Sequence, residues 1–134
     1  MFTARDVMTT NIITVDEKTD IRDAIKLLVE NNVTGLPVVS ESGCLIGIVT
    51  EKDILQFLYK QQSKNKTVAD LMTRDIITFQ ESDNLIEIFK SLMENSFRRV
   101  PILADGKLVG IISRKDIIKF LFRKPARSRQ DEAE

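Results

Sequence analysis

The sequence predicts a mixed α/β (α+β) fold made of two copies of one β-α-β-β-α unit. Three observations lead there. Residues 7–59 and 71–122 align along their whole length, at an offset of 64 up to Glu41/Asp105 and of 63 after a one-residue gap at Ser42. Each copy contains one stretch with apolar residues at helical spacing. Each also contains two short apolar runs joined by a turn signal, and closes on a second apolar helix. Identical pairs include Met8/Met72, Thr9/Thr73, Thr14/Thr78, Pro37/Pro101, Gly47/Gly110 and Asp53/Asp116. The chain is a tandem duplication, with repeat 1 over residues 1–62, repeat 2 over 67–122 and a tail over 123–134.

The elements follow in the same order in both copies. A short helical turn opens each, at Val7-Met8 and at Val68–Met72, the latter capped by Thr67. Brief extended pieces follow at Ile12–Val15 and Ile76–Phe79. Apolar positions 21, 24, 25 and 28, and 85, 88, 89, 92 and 93, mark amphipathic helices over Asp20–Asn31 and Asp83–Asn95, each with its leading Asp as cap. Strand pairs are expected at Leu36–Ser40 with Cys44–Thr50 and at Val100–Ala104 with Lys107–Ser113, turning at Glu41-Ser42-Gly43 and Asp105-Gly106. A last helix starts after Thr50 or Ser113 and ends near Gln62 or Phe122. Gln61–Lys66 reads as a polar linker. Arg123–Glu134 holds four basic and three acidic residues and no aliphatic side chain larger than alanine, which predicts a disordered tail. One such unit leaves a sheet face and its helices short of partners, so the two copies are expected to pack as one body around a pseudo-twofold axis.

Composition narrows the chemistry. At 134 residues and 15.3 kDa, one compact core is the default, burying roughly two-thirds of the unfolded surface. Twenty basic residues balance twenty acidic ones, which argues against a general polyanion binder. There is no histidine and one cysteine, Cys44. That excludes a histidine general base, His/Cys zinc sites, Ser-His-Asp and Cys-His nucleophiles and an internal disulfide. It also fits a reducing compartment. No signal-peptide pattern opens the chain, and no apolar run approaches the ~20 residues that span a bilayer. A cytoplasmic protein with no enzymatic activity, metal or membrane contact is expected.

The candidate site is Gly47–Asp53, repeated as Gly110–Asp116, where a strand runs straight into a helix. Thr50 and Asp53, and Ser113 and Asp116, have the spacing of a capping box. The same residues form a ready site for an anion or a ribose, the Asp accepting from a vicinal diol and the hydroxyl donating to a phosphate. Both roles can coexist. Arg98 and Arg99 precede Val100-Pro101 where the first copy has Thr34-Gly35 before Leu36-Pro37. The arginines are either an exposed basic pair or a grip on phosphate oxygens. Gly47 and Gly110 imply close approach by a ligand or by a neighbouring strand. Phe57, Tyr59, Phe120 and Phe122 read as core or dimer contacts.

A duplicated V/L-M-T, x-I-I-T-V, helix, x-x-P-V/I and G-x-L-x-G-I-V-T-x-x-D series resembles the cystathionine-beta-synthase (CBS) domain, and two in tandem resemble a Bateman module. The resemblance covers residues 7–122. It implies a regulatory module that binds AMP, ADP, ATP or S-adenosylmethionine in clefts between the repeats and requires no cofactor. It implies ribose contacts from Asp53 and Asp116, with Thr50 and Ser113 beside the ligand. It further implies backbone and apolar contacts to the base around Ile13, Ile77, Leu36, Pro37, Val100 and Pro101, and phosphate contacts from Arg98 and Arg99. A CBS pair that makes up nearly the whole chain would act on an unidentified partner protein in trans and pair as a homodimer through its last helices. Two other readings compete: a ligand-free dimeric scaffold, and a nucleic-acid-associated regulator using Arg123, Lys124, Arg127 and Arg129. The acidic end of the tail and the lack of a helix-turn-helix argue against the latter.

Overall fold

The computed structural model describes residues 1–60 and 66–123. The expected linker, apart from Lys66, and the expected disordered tail beyond Arg123 lie outside the described residues. The first copy runs α1 (Ala4–Val7), β1 (Val15–Asp16), α2 (Ile21–Asn31), β2 (Gly35–Val39), β3 (Leu45–Thr50) and α3 (Glu51–Tyr59). The second runs α4 (Val68–Leu71), β4 (Phe79–Gln80), α5 (Leu85–Glu94), β5 (Arg99–Ala104), β6 (Lys107–Ser113) and α6 (Arg114–Arg123). Two three-stranded sheets result, ordered β1-β2-β3 and β4-β5-β6. The α+β class expected from the sequence is therefore observed, in duplicate.

Local chemistry explains the boundaries. Asp20 caps α2 by accepting from the Arg22 amide at 2.7 Å. In the second copy the cap is Asn84, which accepts from the Ile86 amide at 2.9 Å. Asp83, expected to be the cap, instead accepts from the Gln80 amide at 2.7 Å and shapes the turn before the helix. The first strands are shorter than expected. Val15 and Asp16 pair with Val38 and Val39, and Phe79 and Gln80 with Ile102 and Leu103. The β-branched residues just before them lie outside these ladders, so propensity alone overstates the strand. Asp105 (φ 52°) and Gly106 (φ 80°) form the two-residue turn of the second hairpin, both with the positive φ that such a turn needs. The extra residue of the first copy sits in a wider turn, and the β2–β3 register shifts between Val38 and Val39. Helix α2 stops on Asn32 in the left-handed region (φ 51°). Helix α5 has no such residue. The Arg114 guanidinium donates to the Leu92 and Asn95 carbonyls there, at 3.2 and 3.1 Å.

The chain forms two compact units, and each draws on both copies. Among the described residues, one consists of Ile13–Ile76 with Asp105–Leu108; the other consists of Met1–Ile12, Ile77–Ala104 and residues 109–123. The opening segment of each copy thus belongs with the body of the other. In the first unit, Val68 and Met72 join a core of Val15, Ala24, Leu28, Leu36, Val38, Val49 and Ile54. In the second, Ala4 joins Leu85, Ile88, Leu92, Val100, Ile102, Ile112 and Ile117, with Met8 packed against them. Short bridges pin the segments. Ile48 and Thr73 exchange two backbone hydrogen bonds at 2.9 and 2.8 Å, and Thr9 and Ile111 do the same at 2.9 and 3.0 Å. Arg5 adds a 2.9 Å ion pair with Glu81. That hydrogen bond and the Glu81 charge raise the guanidinium pKa above its ordinary value.

This exchange accounts for the strand glycines. A Cβ on Gly47 would stand 2.6 Å from Met72 Sδ, and one on Gly110 would collide with the Met8 side chain in the same way. Of the two neighbours the sequence left open, a ligand or a strand, neither is the closest: the glycines make room for a methionine from the other copy's opening segment.

Candidate ligand-binding sites

In the first unit, β3 delivers Thr50 to the N-terminus of α3 and Asp53 to its first turn. Asp53 Oδ2 accepts from the Thr50 amide and the Thr50 hydroxyl, both at 2.9 Å, while Thr50 Oγ1 accepts from the Asp53 amide at 3.3 Å. The capping box is complete. Asp53 Oδ1 points away from that box and accepts from the Thr73 hydroxyl at 3.1 Å. The second unit repeats the arrangement. Asp116 Oδ2 accepts from the Ser113 amide at 2.8 Å and the Ser113 hydroxyl at 2.9 Å. The Ser113 hydroxyl accepts from the Asp116 amide at 3.1 Å, and Asp116 Oδ1 accepts from the Thr9 hydroxyl at 3.2 Å. Both carboxylates are half-buried. Each sits where the free amides and positive end of a helix favour an anion or an electronegative ligand atom.

The other candidate residues divide by burial. Leu36, Pro37, Val100 and Pro101 are buried, Leu36 and Val100 within the two cores, so it is the backbone at these positions that can meet a ligand. Ile13 is partly buried against the first core, while Ile77 is 47 % exposed. Arg98 is exposed and Arg99, the first residue of β5, is half-buried, as alternation at a strand entry requires. The structure thus joins Thr50 to Asp53 and Ser113 to Asp116. Thr9 and Thr73 complete each group. The sequence marked them as a repeat match and as the last residue of the V/L-M-T motif, but gave them no place in the site, because the exchange that brings them to the carboxylates is tertiary.

The units differ in one respect. Beside Asp53 a cleft of about 310 Å³ is lined by Gln56, Phe57, Lys60, Lys66, Asp70 and Leu71. At the place equivalent to Lys66 the second unit has Phe2, which packs edge-on against Phe120 with ring centroids 4.8 Å apart.

Two stretches of the chain, residues 4–60 and 68–123, match the CBS domain family. The chain belongs to that family. The CBS pair is 37 % identical over 117 residues to the protein MJ1225 of Methanocaldococcus jannaschii, covering 87 % of this chain and 42 % of that protein. It is 34 % identical to the chloroplastic CBS domain-containing protein CBSX2 of Arabidopsis thaliana, covering 88 % of this chain and 63 % of that one. The chain therefore spans less than two-thirds of either relative. Among solved structures, CBSX2 in complex with AMP superimposes with a TM-score of 0.84 at 36 % identity, covering 92 % of this chain and 98 % of that one. The CBS pair of protein MJ0100, in complex with 5-methylthioadenosine and S-adenosyl-L-methionine, gives 0.79 at 30 % identity, with the same coverage.

Proposed function

We propose that this CBS pair is a regulatory, non-enzymatic module that binds an adenosine-containing ligand, namely AMP, ADP, ATP or S-adenosylmethionine, in clefts between its repeats and passes the occupancy to a partner protein in trans. One observation carries the reading: the same half-buried carboxylate, held by the same capping box, stands at a strand-to-helix junction in both units. Relatives crystallised with AMP and with S-adenosyl-L-methionine support it. Asp53 and Asp116 would take the ribose, Thr50 and Ser113 would lie beside the ligand, and Arg98 and Arg99 would meet phosphate. The base would lie against Ile13, Ile77 and the backbone before Pro37 and Pro101. Any proton-transfer chemistry would have to run without histidine. The lone half-buried Cys44 fits a reducing compartment such as the cytoplasm.

Calorimetric titration with AMP, ATP, S-adenosylmethionine and adenosine tests the proposal. A binding ligand at ~100 times its Kd should raise stability by about 2.7 kcal/mol. Asp53→Asn with Asp116→Asn keeps acceptors for the caps and should abolish most of that gain. Equal binding by wild type and this variant would overturn the assignment.

A specific observation also favours self-association. The faces of α5 and α6 expose Phe89, Met93 and Ile118, the last two by about two-thirds, along a groove of about 540 Å³ floored by Leu92 and Ile117. In the first copy Val29 and Leu55 are comparably exposed. Apolar patches of this kind mark interfaces, and we assign them to a homodimer. If no ligand in the panel binds and the dimer persists, the scaffold reading takes precedence.

A further inference from the structure

We propose that the cleft along α3 takes a small aromatic anion, its ring seated on Phe57 and its charge held by Lys60 and Lys66. The second unit supplies the reason for the ring. Phe120 stands where Phe57 does in the repeat, and Phe2 stands where Lys66 does. The two opening segments hang from equivalent points. The Leu85 amide donates to the Phe2 carbonyl at 3.0 Å, and the Ile21 amide donates to the Lys66 carbonyl at 3.3 Å. The two side chains therefore leave the backbone at matching places, one a ring and the other a lysine. In the second unit the Phe2 ring meets Phe120 edge-on, with centroids 4.8 Å apart, a geometry that aromatic pairs favour. In the first unit Phe57 has no ring partner among the described residues, and the cleft of about 310 Å³ lies beside it. That volume stands at the lower end for small-molecule sites. It suits one ring and a charged group rather than a segment of a protein.

The polar lining sets the charge of the ligand. Asp70 accepts from the Thr67 amide at 2.9 Å and from the Thr67 hydroxyl at 3.4 Å. Asp53 is engaged by Thr50 and Thr73. Both carboxylates are thus committed to hydrogen bonds within the fold. Lys60 and Lys66 make no ion pair among the described residues, so their ammonium protons are the charged donors left to the cleft. A carboxylate or phosphate on the ring would meet both. Lys60 is the C-cap of α3, seven residues past Asp53 and so about 10 Å along the helix. The ring and its charge are therefore placed away from the strand-to-helix junction, and the inference does not rest on the adenosine reading.

The experiment is a titration of the isotope-labelled full chain, followed by NMR, with phenyl phosphate, benzoate, inorganic phosphate and benzyl alcohol. Phenyl phosphate or benzoate should saturably shift the amides of Gln56–Lys60 and Lys66–Leu71, and the tighter of the two names the anionic group. Inorganic phosphate lacks the ring and benzyl alcohol lacks the charge, so each should bind there about tenfold or more weakly. Lys66→Phe should weaken the tighter probe by about tenfold and raise the unfolding midpoint, because the new ring meets Phe57 as Phe2 meets Phe120. Should that variant fail to fold, as read by circular dichroism, Lys60→Gln with Phe57→Leu gives the same loss of binding. The inference falls if both ring-bearing anions shift amides only outside the cleft, or if neither binds there better than inorganic phosphate. It falls equally if the folded variant binds as tightly as wild type. None of the probes carries a ribose, so such a failure leaves the adenosine reading standing, and a failure of AMP to bind leaves this one.

Discussion

A methyl group at position 47 would stand 2.6 Å from Met72 Sδ, in a strand whose other neighbours are already packed. Gly47→Ala and Gly110→Ala should each lower stability by about 1–3 kcal/mol in urea unfolding, because the methionine must leave its rotamer or the segment must shift. Gly35→Ala, whose new Cβ would make only ordinary 3.5 Å contacts, should cost clearly less; equal costs would deny the close approach. Met72→Ala leaves the same contact empty and should cost about 2–5 kcal/mol. A different prediction belongs to the arginines. Arg98→Ala with Arg99→Ala should weaken AMP by at least about tenfold and leave adenosine nearly unchanged, since adenosine has no phosphate for them to grip. Parallel losses for both ligands would make them structural. At this scale the sequence was informative where partners are close in the chain. Thr50 with Asp53 and Ser113 with Asp116 are three residues apart, and their joint geometry follows from helix capping. Thr73 with Asp53 and Thr9 with Asp116 are 20 and 107 positions apart, and no local rule links them.

Helices α2 and α5 start at equivalent positions, and the two copies cap them with different side chains. Asn84 stands opposite Asp20 in the repeat alignment, and both accept from the amide two residues on. Asn84→Ala should therefore cost about 1 kcal/mol in thermal or urea unfolding, and Asn84→Asp should be close to neutral. A large loss in Asn84→Asp would show that the amide protons of Asn84 matter instead. The leading Asp83 misled the sequence reading because Asp is as good a cap as Asn. Only the turn bond to Gln80 takes it out of contention. Strand pairs, the Asp105-Gly106 turn and both amphipathic helices were legible because period and turn chemistry are local. The first strands were overestimated for the opposite reason: a strand is as long as its partner permits, and β2 and β5 offer only two residues each to β1 and β4.

The whole molecule is two compact units stitched crosswise, and the repeats visible in the sequence do not coincide with them. A chain of residues 66–134 would hold its own α4 but lack α1, leaving Gly110 without Met8. It should pair with a second copy by reciprocal exchange, Met72 of one chain covering Gly110 of the other. Light scattering should give twice the fragment mass, and a monomer that unfolds cooperatively would contradict this. The full chain should itself be a dimer through α5 and α6, and Met93→Glu with Ile118→Glu should make it monomeric at tens of micromolar. The crosswise stitching also sets an order of events during synthesis. The unit built around Ile13–Ile76 has nearly all of its chain once residue 76 has been added. Residues 1–12 are made before the β5, β6 and α6 they pack on, which follow roughly 100 residues later, a wait of about 5–20 s at 5–20 residues per second. That segment is thus the last part of its unit to find its place, and until then the Met8 side chain has no Gly110 to cover.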